Sequence, residues 1–129
     1  MTPRSKTPEY TRTYDKLRRV RDYRALRDGT VTRRKLAALH ALGYSWAYIG
    51  ERLGRTQQSI SKTLRHDTPV HWKTERAVAS LYEELHLTHP EGPYAHRTRL
   101  RAQREGFAPP ASYDDIENIH ERPKGVLKA

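Results

Sequence analysis

Apolar residues in this chain recur at three- and four-residue intervals, with polar residues filling the gaps between them. After Thr32, which can cap a helix, "RRKLAALHAL" places Leu36, Leu39 and Leu42, with Ala38, on one face, and Gly43 stops the run. Ser45 is a second cap, and "WAYIGERL" carries Trp46, Ile49 and Leu53 on one side before Gly54. Thr56 is a third cap, opening the short helix "QQSISKTLR", whose aliphatic residues Ile60 and Leu64 lie one turn apart. Caps, glycine stops and stripes agree with one another, and that consistency says more than any one of them.

Flanking segments are less regular. Residues 1–13 hold Pro3 and Pro8 without aliphatic periodicity and read as a disordered basic arm. A narrow stripe of Leu17, Val20, Tyr23 or Arg24, and Leu26 predicts a charged helix over 14–28. After "HDTPV", "HWKTERAVASLYEELHL" puts Trp72, Val78, Leu81, Tyr82 and Leu85 on one face. "YAHRTRLRAQRE" is helical in propensity, with an apolar stripe of little more than Tyr94, Leu100 and Ala95, and Gly106 ends it. The rest reads as an extended tail whose Phe107, Tyr113 and Ile116 can pin its first half to the body. No convincing strand-period segment occurs. The expected class is all-α: a helix-turn-helix bundle of about five helices, an Arg-rich C-terminal helix, a basic N-terminal arm and a C-terminal tail. The expected divisions are 1–13 for the arm, 14–88 for the bundle with its motif at 46–64, and 89–129 for the Arg-rich helix and tail.

Charge turns this helical outline toward a partner. The net charge is +10, with a sequence pI near 10.1, which favours phosphate-rich partners. Residues 1–65 carry 16 Lys and Arg against 5 Asp and Glu, whereas 66–129 carry 9 against 10. The positive field therefore belongs to the half that contains the motif. The alternative, a solvated basic surface without a ligand, is weakened by that asymmetry.

Within 46–64 each residue has a mechanical job in a helix-turn-helix. Gly54 makes the turn, and Gly50, four residues earlier, leaves room for a close approach. Ile49, Leu53 and Ile60 face inward, and Leu64 closes the far end. Gln57, Gln58, Ser61, Lys62 and Arg65 are left outward, where glutamine can pair with adenine and the others can reach bases or phosphates. Thr56, Arg55 and Ser45 join the phosphate-or-base set. The competing reading is a merely solvated helix face.

The run "IGERLGRTQQSISKTL" resembles the phage-repressor class of helix-turn-helix proteins, including the lambdoid repressors. Roughly residues 32–117 are also similar to regulators of actinobacteria and their phages, among them immunity repressors. The resemblance implies that the base-reading positions fall on Gln57, Gln58 and Ser61, and the phosphate positions on Thr56, Lys62 and Arg65. Two positions depart from the pattern: Arg55 stands where an apolar residue is usual, and Gly50 where alanine is more frequent.

Secondary contacts can come from the arm, through Arg4, Lys6 and Arg12, or from Arg97, Arg99, Arg101 and Arg104. Those four arginines could instead form salt bridges with Asp114, Asp115 and Glu117 downstream.

Other chemistry is thin. The chain contains no cysteine, so disulfides and thiolate metal sites are excluded. His86 and His89 are close but complete no metal set, and "SYDDIE" is a poor acid–base pair. The expectation is no enzyme, no cofactor, no metal, no small-molecule ligand and no membrane partner. Location is expected in the cytoplasm of a bacterial host cell, on the nucleoid, since the N-terminus lacks the apolar region of a secretory signal. Three functions are weighed: a sequence-specific double-stranded DNA-binding transcriptional repressor, of phage immunity type; an accessory of recombination, excision or packaging; and an adaptor whose helix-turn-helix binds protein. Monomer and homodimer both fit, and the lack of an evident dimerisation segment favours the monomer.

Overall fold

The structure, a computed structural model, describes residues 25–65 and 69–125. Five α-helices follow one another among these residues: α1 (Thr30–Leu42), α2 (Trp46–Leu53), α3 (Gln57–Arg65), α4 (Trp72–Leu85) and α5 (Pro93–Glu105). A 3-10 turn spans Pro110–Ser112, and two short strands, β1 (Leu26–Arg27) and β2 (Val70–His71), pair antiparallel. The class is all-α.

α1 is the central helix, with α4 and α5 packed on it. Leu36, Ala38 and Leu39 of α1 meet Ile49, Ile60 and, on α4, Val78, Leu81, Tyr82 and Leu85 in one buried cluster. Leu42, Tyr44, Trp46, Leu53, Leu64 and Ile116 are half-buried around it. Burying each large aliphatic side chain stabilises the fold by about 1.5–3 kcal/mol. Trp72, expected in this core, is half-buried outside it and stacks on His71 at 5.9 Å.

One expected helix end and one expected helix start differ in the structure. Most of the helix expected over 14–28 lies outside the described residues, and its end is not helical, because Leu26 and Arg27 pair with His71 and Val70. α1 then begins at Thr30, where the Thr30 N–H donates to the Asp28 carboxylate at 2.8 Å. That side chain supplies the N-terminal acceptor, and hydrogen bonds from the Thr30 side chain and backbone hold the Asp28 carboxyl below its usual range. Thr32 therefore does not cap; it is fully buried inside the helix.

Of its expected stripe, α5 buries only Ala95. Tyr94 and Leu100 are exposed, while Ala95 and Ala102 are buried. Small residues let α5 approach α1 closely: a Cβ on Gly43 would lie 3.2 Å from the Ala95 Cβ. Arg99 is drawn into this contact, donating to the Leu42 carbonyl at 3.1 Å and the Pro90 carbonyl at 2.8 Å.

The C-terminal segment is a series of turns bound to α1 instead of an extended tail. The Arg34 guanidinium donates to the carbonyls of Asn118, Ile119 and Glu121 at 2.8, 3.2 and 2.6 Å. Buried Lys35 pairs with Glu117 at 2.6 Å. Glu121 accepts the N–H groups of Asp114 and Asp115 at 2.8 Å each, closing the turns on themselves. Phe107, Tyr113 and Ile116 do pin this segment: Phe107 meets Trp46 at 6.1 Å, Tyr113 lies under Arg34, and Ile116 packs on the core.

Candidate nucleic-acid interface

α2 and α3 are short because each is capped at its N-terminus and α2 is stopped by glycine. The Tyr48 N–H donates to Ser45 Oγ at 3.1 Å, and the Ser59 N–H to Thr56 Oγ1 at 3.1 Å. Gly54 sits at φ 69°, the left-handed region that glycine enters without strain. The Arg55 N–H returns to the Gly50 carbonyl at 2.8 Å, which draws the turn tight against α2. A Cβ on residue 50 would then lie 2.5 Å from the Arg55 carbonyl oxygen. Glycine at 50 is thus a requirement of this turn, which explains the departure from alanine.

Arg55 has its own explanation. Its guanidinium donates to Thr74 Oγ1 on α4 and reaches Ser59 Oγ at 3.5 Å. A polar bridge between α3 and α4 replaces the apolar contact usual at this position. Most of the side chain stays exposed.

Ile60, only 2% exposed, and half-buried Leu64 hold one face of α3 against the body. The other face carries Gln57, Gln58 and Lys62, all exposed, with Ser61 half-buried beside them. Thr56 is exposed, although its hydroxyl is committed to the cap. Ser45 is half-buried with its oxygen in the cap of α2. Arg4, Lys6 and Arg12 lie outside the described residues, as does the side chain of Arg65.

No family model, curated protein or solved structure matches the chain.

The charges of the motif sort into committed and open ones. Arg52 is committed: it donates to Glu84 at 2.6 Å and to the Tyr48 hydroxyl at 2.9 Å. These bonds raise its pKa further and hold Glu84 below the usual carboxylate range. Lys35–Glu117 and Lys124–Asp114 are further ion pairs, and among the described residues no carboxylate pairs with Lys62. The arginines of α5 likewise take no ion pair with Asp114, Asp115 or Glu117, contrary to the alternative raised from the sequence. Arg99 is removed from the contact set by its carbonyl partners, whereas Arg97, Arg101 and Arg104 are exposed.

The structure adds a cation that sequence reasoning passed over. The Arg55–Thr74 bond brings the first turn of α4 beside the motif turn, and the neighbouring Lys73 is exposed. Nothing local in "HWKTER" marks it, because the contact joins residues 19 apart.

His40 of α1 is 2% exposed and stacked on Trp46 at 3.9 Å. Its Nδ1 meets the Tyr44 carbonyl at 2.9 Å and so must carry the proton, while buried Nε2 has no partner. Burial pushes the imidazole pKa below its ordinary value, against the opposing pull of the Tyr44 bond, and the Arg101 charge adds to the lowering. His86 is occupied by carbonyls of its own helix, Tyr82 at 3.0 Å and Glu83 at 3.2 Å.

Proposed function

We propose that this protein is a sequence-specific double-stranded DNA-binding transcriptional repressor, of the phage immunity type that its motif resembles. The observation that carries the reading is the orientation of α3. Ile60 and Leu64 turn into the body, and the paired amides Gln57 and Gln58 stand exposed at the helix start. In a helix-turn-helix the second helix enters the major groove with its N-terminal residues on base edges. Gln57 and Gln58 occupy those positions, with Ser61 one turn on, and an amide paired bidentately with adenine discriminates by about 1–3 kcal/mol. Lys62, Arg65, Thr56 and Arg55 flank them for phosphates, and Lys73 joins that set. Repression would follow from occupying a promoter against polymerase.

The positive field of the N-terminal half supports duplex DNA over a protein partner. Selection of bound duplexes from genomic fragments tests the reading. Promoter-proximal sites sharing one short motif are the expected outcome; sites confined to recombination or packaging loci point to the accessory role instead. Binding with no salt dependence points to the adaptor role, since phosphate contacts release counterions and weaken steeply with salt.

A further inference from the structure

α5 carries four arginines that the fold divides into two groups. Ala95 and Ala102 face α1, and Arg99 turns in with them to the Leu42 and Pro90 carbonyls. At helical pitch this leaves Tyr94, Arg97, Arg101 and Arg104 along one exposed stripe, at i, i+3, i+7 and i+10. Tyr94 is 79% exposed, and the Arg97 guanidinium lies 4.7 Å from its ring centroid. No described carboxylate pairs with any of the three arginines, and Glu105 is the one acidic residue of the helix.

The stripe has a definite address. Phe107, just past the end of α5, meets both Trp46 and His40, at 6.1 and 6.0 Å. The charges of Arg101 and Glu105, both near the end of α5, act in opposite directions on His40, which itself stacks on Trp46. The last turns of α5 therefore lie beside the first residue of α2. When a helix-turn-helix docks, the first helix of the motif crosses the phosphate backbone.

We infer that Tyr94, Arg97, Arg101 and Arg104 form a second contact strip for duplex phosphates, continuous with the start of α2 and extending the footprint on that side only. This rests on the DNA-binding reading of α3. Guanidinium groups suit phosphate because their planar fork can donate two parallel hydrogen bonds to one group. A lipid surface fits less well, since the apolar side of α5 is already spent on α1. The strip carries no base-reading chemistry, so it adds affinity and register without altering sequence preference.

The test uses the full chain with Arg97→Gln, Arg101→Gln and Arg104→Gln combined. Each lost phosphate contact should lower the slope of log affinity against log salt by about 0.9, so a drop of about 2–3 is expected. The footprint should shorten at one end, while the preference for the selected site over random duplex and the melting temperature stay unchanged. Arg99→Gln is the structural control, expected to lower the melting temperature. If wild-type protein binds its site in a Gln57- and Gln58-dependent way but the triple variant keeps slope and footprint, the strip is refuted and the reading of α3 stands. If wild-type protein binds no duplex, both fall. Arginine-dependent binding to phosphatidylserine vesicles, with the duplex slope unaltered, also overturns the inference.

Discussion

A methyl group at position 50 would meet the Arg55 carbonyl oxygen at 2.5 Å, and that oxygen belongs to backbone held by the motif turn. Gly50→Ala gains about 1 kcal/mol of helix propensity, but the turn must move to admit the methyl. Overpacking of this kind costs about 1–3 kcal/mol, so net destabilisation in urea denaturation is the expected outcome. His40 makes a second prediction at this scale. Its folded-state pKa is depressed below the ordinary 6.5, so between the two values the unfolded chain binds a proton that the folded chain refuses. Its contribution to stability is complete above about 6.5 and is lost as pH falls through the folded value. Denaturation midpoints from about pH 7.5 down to about pH 5 should fall for wild type and flatten in that window for His40→Phe. The glycines of the motif were legible because a turn demands them whatever surrounds it. Thr32 was misread for the opposite reason: Asp28, Thr30 and Thr32 are all plausible caps by type, and the helix starts two residues earlier, at Thr30, whose N–H bonds to Asp28.

Among the elements, α1 is held from outside by the C-terminal turns as well as by α4 and α5. Glu117→Ala would leave buried Lys35 with only the face of Tyr82, 5.6 Å away, as a described partner. An orphaned buried donor costs about 1–3 kcal/mol, and thermal unfolding should register a loss in that range. The burial that Lys35 and Tyr82 share shows in Tyr82 too, whose phenol is pushed up to about 12. Sequence periodicity found α1, α2, α3 and α4 because their stripes use large aliphatic residues. For α5 it named Ala95 but also the exposed Tyr94 and Leu100, and it missed Ala102, since alanines carry little hydropathy signal. In the tail it found the pins Phe107, Tyr113 and Ile116 but missed the turns, which Arg34 and Lys35 hold, charged residues with no apolar pattern to announce them.

At the scale of the molecule, several acidic side chains gather in one groove. Glu83, Asp114, Asp115 and Glu117 line a groove of about 460 Å³ between α1, α4 and the C-terminal segment, and none of its lining residues belongs to α2 or α3. On α3, Lys62 is unopposed by a described carboxylate, which favours the approach of the polyanion proposed above. Duplex affinity is accordingly expected to fall at least tenfold between about 50 and 200 mM salt. The direction of the α3 face was readable from Ile60 and Leu64 alone; its neighbours were not, because the Thr74 tether of Arg55 and the closeness of Lys73 arise from a contact across the fold.

The most direct measurement compares wild type with the Gln57→Ala/Gln58→Ala variant on the selected site and on random duplex, at one fixed salt concentration. Both side chains are exposed, so the variant should fold normally. The variant is expected to keep its affinity for random duplex and to lose at least tenfold in preference for the site, since each good amide–adenine pair discriminates by about 1–3 kcal/mol. A variant that folds and still prefers the site as wild type does would contradict the assignment of α3 as the reading helix.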